Sequence, residues 1–264
     1  MRVTMASVPG HDGRVNEDFA AATATAAVLV DGAGIPGAEA VCRHGVAWYA
    51  VRLGGSLLGL LTLDPASSLT AVLAMAIDEV TGEHRDTCDV ADPISPSAAV
   101  AMLRVSGDRL DHLVLGDATL VLNRAEGEPL VVTDPREVVI SRSYASELAG
   151  RTPASEEYRR VLRELRARRN RPGGFWVAKD DPGAAHEALT GTCAVAGLTG
   201  AALLSNGASR LVDRFASTGW PDAMALLATH GPGEIIDRVR RAEARHAVAA
   251  DDATIVHCTW LDQA

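Results

Sequence analysis

The chain has 264 residues, of which 47% are hydrophobic and 4% aromatic, with a net charge of −9. That length suits a single large domain with a sizeable core, and the apolar share excludes global disorder. The negative balance argues against a nucleic-acid partner.

In chain order, Met1 to Val8 and Ala26 to Val30 read as strands, the second ending at Asp31. Val41, Gly45, Trp48 and Val51 recur at helical spacing and predict a helix over 38–53. A second helix is expected from Ser67 to Arg85, with Pro65 and the nearby serines suited to its start. The period then changes to that of strands over 98–105, 110–115, 119–123 and 130–132, with Ser106-Gly107-Asp108 as a hairpin turn. Residues 133–192 are polar and irregular, with a basic helix expected over 156–169. A strand at Leu203-Leu204, helices over 207–215, 221–229 and 234–247, and a closing strand over 254–260 complete the reading. Antiparallel strands alternating with runs of helices favour an α+β architecture of two packed sheets with helices outside.

The first residues lack an extended apolar signal core, and no run reaches the ~18 apolar residues of a membrane span. Leu53 to Leu63 is apolar but short and contains glycines. A cytoplasmic location without membrane contact is therefore expected. Cys42, Cys88, Cys193 and Cys258 are far apart and form no Cys-x-x-Cys pair. They read as reduced thiols, mostly buried, and a zinc site is not expected. His44, His84, His112, His186, His230 and His246 show no His-x-x-x-His spacing.

Short acidic motifs stand beside several of the apolar runs: Asn16-Glu17-Asp18, Asp31-Gly32-Ala33-Gly34, Gly116-Asp117, Ser205-Asn206-Gly207 and Asp251-Asp252-Ala253-Thr254. Carboxylates at strand ends suit a hard divalent cation. Each motif alone also reads as an ordinary turn, since Asp-Gly is common there. Asp31 is the first choice for a bridging ligand, because the apolar run Ala26 to Val30 buries the strand and leaves the carboxylate at its end. Gly32 leaves its backbone free of a side chain.

In this order the motifs resemble the metal-dependent protein phosphatases of type 2C, the PPM family, over nearly the whole chain. The resemblance implies a single phosphatase-like domain over 1–264, built as a four-layer α/β/β/α sandwich of two antiparallel sheets flanked by helices, with a flap-like insert at about 133–192. It implies a hydrolase that uses two Mg²⁺ or Mn²⁺ ions, with a third possible, to cleave phosphoserine or phosphothreonine in a phosphorylated protein. A small phosphomonoester is the alternative substrate. Two ions about 3.5–4 Å apart acidify a water and clamp the phosphoryl oxygens for in-line hydrolysis. By resemblance, Asp31 bridges both ions, Gly32 gives its carbonyl to one, Glu17 and Asp18 bind one largely through water, and Asp251 binds the other. Asp117 matches a third, weaker metal position, with capping of the Gly116 turn as its competing reading.

Two positions depart from the family pattern. The phosphate-binding arginine is expected where Gly13 stands, so Arg14, or more weakly His11, is the candidate, against the reading of a surface arginine. Asn206 stands where a metal-ligating Asp is expected, which removes one negative charge from the ion's ligands. Loss of even an outer contact costs about 10–100-fold in affinity or activity. The sequence thus supports an active phosphatase weakened by Asn206, or a phosphatase-like module that binds a phosphorylated partner without fast turnover. The basic stretch Arg159 to Arg171 is a candidate receptor for that partner or a solvated helix face.

Overall fold

Strand parity sorts the core into three apolar layers. In β3 (Ala26–Ala33), Val28 and Val30 turn to one side, while Ala27 and Leu29 turn to the other. In β4 (Ser97–Ser106), Val100 and Met102 join the first group, and Ala101 and Leu103 join the second. Successive side chains of a strand face opposite ways, so a sheet covered on both faces reads as a continuous apolar run. The computed structural model describes all residues except Asp12, Pro36, Pro153, Ala154 and Ala264, and of Gln263 the backbone alone.

Among the described residues, one sheet has the order β2-β3-β4-β5-β8, with β2 Asp18–Ala22, β5 Arg109–Leu115 and β8 Leu189–Ala194. The other has the order β1-β10-β9-β6-β7, with β1 Arg2–Val8, β6 Thr119–Arg124, β7 Leu130–Thr133, β9 Leu198–Leu204 and β10 Ala253–Thr259. All pairings are antiparallel. Helices α1 (Gly45–Leu63) and α2 (Leu69–His84) cover the first sheet. Helices α5 (Asn206–Asp213), α6 (Trp220–His230) and α7 (Pro232–His246) cover the second. This is the expected four-layer α/β/β/α sandwich. The middle layer is lined by small and aliphatic groups, among them Ala27, Ala101, Ala201 and Leu203, as the scarcity of aromatics implies.

Several elements differ from the sequence reading. The helix expected over 38–53 is a short 3₁₀ turn at Ala38–Ala40, then α1 from Gly45 through to Leu63. Burial of Leu53, Leu57 and Leu61 against the sheet and α2 outweighs the helix cost of Gly54, Gly55 and Gly59. By length and composition α1 is also apolar enough to cross a membrane, contrary to the expectation. Here it packs as a core helix. Strands β2 and β8 carry few β-branched residues, and their pairing with β3 and β5 makes them strands. The polar segment after β7 is more ordered than its composition implies, with α3 (Arg136–Leu148) and α4 (Glu156–Arg166). Helix α3 has no fully buried residue, and its one apolar stripe, Ile140, Tyr144 and Leu148, is half-buried, with Ile140 and Tyr144 packed on Leu165, Phe175 and Val177.

The glycines of α1 offer a clean test of this packing. A Cβ on Gly54 would lie 2.0 Å from the Phe19 ring, whereas one on Gly55 or Gly59 meets nothing within 4 Å. Gly55→Ala is expected to stabilise by about 0.4–1 kcal/mol, and Gly54→Ala to destabilise by about 1–3 kcal/mol through overpacking. Denaturant midpoints of the two variants should therefore move in opposite directions.

Candidate metal centre

The parity that builds the middle layer also aims the acidic groups. Asp31 continues the series Ala27, Leu29, so it points between the sheets at the end of β3. Asp18 lies directly opposite Asp31 in the β2/β3 register, and opposed residues share a face. Gly116-Asp117-Ala118 is the crossing from β5 in one sheet to β6 in the other, with Gly116 at φ +77°. Asn206 opens α5 directly after β9, and Asp251-Asp252 precede β10.

Hydrogen bonds join these pieces. The Asn206 backbone N–H donates to Asp31 Oδ2 at 2.6 Å, and its side-chain amide donates to Asp117 Oδ2 at 2.7 Å. An anion at the start of a helix meets free N–H groups and the positive end of the dipole. Asp252 accepts from the N–H groups of Gly10 (2.7 Å) and Glu17 (2.6 Å), and so fastens the 10–17 segment to the second sheet. Gly32 has a steric reason of its own: a Cβ there would lie 2.3 Å from the Glu17 carbonyl oxygen. At Gly207 a Cβ would lie 1.9 Å from the Asp252 carbonyl oxygen, so a glycine is required where α5 meets the 251–252 turn.

The electrostatics are those of crowded anions. Burial, then the charges of Asp18 and Asp117, raise Asp31 well above the usual carboxylate range, against the Asn206 N–H. Burial lifts Asp18 from 3.8 to about 6, although the hydroxyls of Thr254 and Ser205 favour its charged form. Burial and the Glu137 charge lift Asp117 from 3.8 to about 7. Glu17 is raised by burial and by Asp252, with Arg14 acting in the opposite direction. Asp18 Oδ2 is buried without a hydrogen-bond partner. A divalent cation fits such a set, because hard oxygen donors are its preferred ligands and its charge relieves the repulsion.

Asp251 stands apart. It is 53% exposed, and Arg210 on α5 donates to its Oδ2 while also binding the buried Glu243. Arg14 is exposed beside Glu17, and its N–H donates to the His11 carbonyl within the 11–14 turn. The His11 side chain is exposed, and no described contact ties it to the carboxylates. A cleft of about 720 Å³ runs between α3 and α5, and Asp117, Glu137, Asn206, Arg142, Arg210 and Arg214 line it.

The fold has well-defined relatives among solved structures. The catalytic domain of the serine/threonine protein phosphatase PstP, in complex with two manganese ions, superposes with a TM-score of 0.62 at 20% identity, covering 98% of this chain and 97% of that one. The PPM Ser-Thr phosphatase MsPP from Mycobacterium smegmatis, in complex with cacodylate, gives 0.58 at 16% identity, covering 98% of each chain. PppA, a regulatory component of T6SS in Pseudomonas aeruginosa, gives 0.57 at 18% identity, covering 98% and 97%. The chain has the PPM phosphatase fold. No family model and no curated protein matches its sequence.

Within that fold, sequence reasoning missed the groups that hold the carboxylates in place. Ser205 and Thr254 are fully buried, and their hydroxyls favour the charged form of Asp18. Arg210 lies four residues after Asn206 on α5, a spacing that places both on one helix face. That spacing is a signal present in the sequence. Most of the basic stretch is committed elsewhere: Arg160 to Glu164, Arg163 to Asp92, Arg166 to Glu137, and Arg168 to the Gly173 carbonyl. Arg169 is buried, and burial holds its pKa well below the ordinary value. The stretch is therefore largely structural.

Raised carboxylate pKa values fix the sign of a pH effect. The metal-free folded state binds more protons than the unfolded chain between 3.8 and the folded values of about 6 for Asp18 and about 7 for Asp117. Stability should therefore fall as pH rises through that window. Thermal melts in EDTA are expected to show a lower Tm at pH 7.5 than at pH 5.5, and Mn²⁺ should remove most of the difference. A flat Tm in EDTA would mean that these carboxylates do not repel one another.

Proposed function

We propose that the chain is a Mg²⁺- or Mn²⁺-dependent phosphomonoester hydrolase that acts on phosphoserine or phosphothreonine in proteins. The observation that carries this reading is the facing pair of a buried Asp18 and a half-buried Asp31 at the end of the inter-sheet layer, with Asp18 Oδ2 buried and without a hydrogen-bond partner. Bound ions would lower the pKa of a water and neutralise charge on the phosphoryl oxygens. Asp31 would bridge the ions, with Gly32 offering its carbonyl and Glu17 and Asp18 completing one ion's surroundings. Asn206 would offer its amide oxygen to the other ion, together with Asp251. Asp117 is the candidate for a third. Arg14, exposed and near enough to act on the Glu17 charge, would receive a phosphate oxygen.

Two features weaken the second ion's surroundings in this proposal. Asn206 contributes no charge, and its amide nitrogen is already engaged with Asp117. Asp251 is shared with the Arg210 guanidinium. The second reading, a phosphatase-like module that binds a phosphorylated partner with little turnover, would rest on these same features. In either case, α3 and α4 would act as the flap beside the cleft, with Glu137 and Arg166 flanking Asp117.

Hydrolysis of p-nitrophenyl phosphate is expected to vanish in EDTA and return with Mn²⁺, and Asp31→Ala should abolish it while the fold survives. Undiminished activity in EDTA would end the metal-dependent reading. Asn206→Asp should raise kcat by about 10-fold or more and tighten Mn²⁺ binding. The same change should lower the Tm of the metal-free protein, because it removes the donor to Asp117 and adds another carboxylate. If turnover remains negligible after Asn206→Asp while a phosphopeptide still binds, the binding-module reading prevails.

The cleft arginines make a separate prediction. Arg142 and Arg214 line the cleft beside Asp117. Replacing both with Ala should raise KM for an acidic phosphopeptide several-fold and leave Mn²⁺ affinity unchanged. An unaltered KM would place the substrate outside this cleft.

A further inference from the structure

Away from the carboxylates, the fold brings four soft donors together that the sequence keeps apart. Cys42 and His44 lie just before α1, and His84 and Cys88 close α2 and the turn after it. All four donor atoms lie within 4.8 Å of one another. Cys42 Sγ is 3.7 Å from His84 Nδ1, and Cys88 Sγ is 3.3 Å from His44 Nδ1. With Zn–S of about 2.3 Å and Zn–N of about 2.05 Å, a tetrahedral site has S···N edges of about 3.6 Å. The observed separations therefore straddle the edge of a zinc tetrahedron.

We propose that Cys42, His44, His84 and Cys88 form a structural zinc site. Two thiolates and two imidazoles in a compact cluster select zinc over the hard cations that carboxylates prefer. The protein supplies all four ligands, so no position is left open for substrate, as in a structural site rather than a catalytic one. The surroundings suit bound thiolates. Burial raises the Cys42 thiol, with backbone N–H groups of Gly45 and His44 acting in the opposite direction, whereas the Cys88 thiol is lowered despite its burial, by hydrogen bonding from Cys42, Thr87 and the backbone of Arg43 and His44. His44 stacks on Trp48, with ring centroids 4.5 Å apart, which fixes the plane of that imidazole. Cys42 and His84 are buried, and His44 and Cys88 are half-buried.

The sequence reading expected reduced thiols and no zinc site; the fold brings Cys42 and Cys88 into one cluster with two histidines. Each arm mixes the two ligand types, as Cys-x-His and His-x-x-x-Cys, and α1 and α2 separate the arms. The tie matters for the carboxylate site. Val46, in the first turn of α1, packs against Gly32 and Gly34 in the motif that begins with Asp31. The hydrogen bond from Asp89 N–H to the Val41 carbonyl, at 2.9 Å, already joins the two loops. Zinc would lock the same junction and hold the start of α1 against the Asp31 motif. Each zinc bound would release the two thiol protons.

The test is elemental analysis of the purified full chain after dialysis against zinc-free Mg²⁺ buffer. About one zinc per chain is expected, retained in Asp31→Ala and in the double variant Cys193→Ser, Cys258→Ser, and lost in Cys42→Ser, Cys88→Ser. Cobalt substitution of the wild-type protein reports the site even where a cysteine variant fails to fold. Intense visible bands of tetrahedral cobalt with thiolate charge transfer are expected. Absence of zinc from wild-type protein prepared with zinc present would overturn the proposal. So would a Cys42–Cys88 disulfide found by mass spectrometry in that preparation, or cobalt bands typical of octahedral oxygen ligands alone.

Discussion

Crowded carboxylates that are partly withdrawn from water repel, and the end of this molecule that holds the candidate site is organised around that repulsion. Asp18 and Asp31 oppose each other across β2 and β3, and the crossing between the sheets adds Asp117. Burial raises the proton affinity of all three. Such an arrangement costs stability unless donors or cations offset it. The protein supplies donors on one side only: the start of α5 through Asn206, and the hydroxyls of Ser205 and Thr254. The unpartnered Asp18 Oδ2 marks where a cation would complete the balance.

The two-sheet architecture makes this arrangement possible. Parity along β3 sends Leu29 and Asp31 in the same direction, so the interior that buries the leucine also buries the acid. The second sheet contributes Asn206 and Asp251 from the ends of adjacent strands, because β9 and β10 pair antiparallel. Gly32 and Gly207 allow the backbones to meet at this junction without a clashing Cβ. Asp252 then clamps the 10–17 segment through the N–H groups of Gly10 and Glu17.

Arg210 gives the site an asymmetry. On the β2/β3 side the carboxylates are crowded and buried or half-buried, whereas on the α5 side Asp251 is exposed and paired with a guanidinium. A pair of ions held here would therefore be held unequally, and the neutral side chain of Asn206 acts in the same direction. The proposed zinc site lies at the root of α1 and α2, and through Val46 it would bear on the rigidity of the Asp31 motif rather than on its charge.

The sequence by itself determined the fold class and the set of acidic motifs, since both rest on local order: apolar runs of strand length, and short acidic turns at their ends. Helix α2 and the closing strand lie close to where periodicity places them. What only the tertiary structure decided depends on contacts between distant residues. Strand β2 exists because β3 pairs with it, and α1 runs through three glycines because its leucine face is buried. Helix α3 has only a half-buried face, through Ile140 and Tyr144, and its sequence is otherwise polar. The arginines after α3 read as a basic patch until their acidic partners, up to 71 residues away, come into place. Likewise, Cys42 and His44 meet His84 and Cys88 only once α1 packs on α2, because the spacing of a metal site is set in space and the chain between its arms is free to be long.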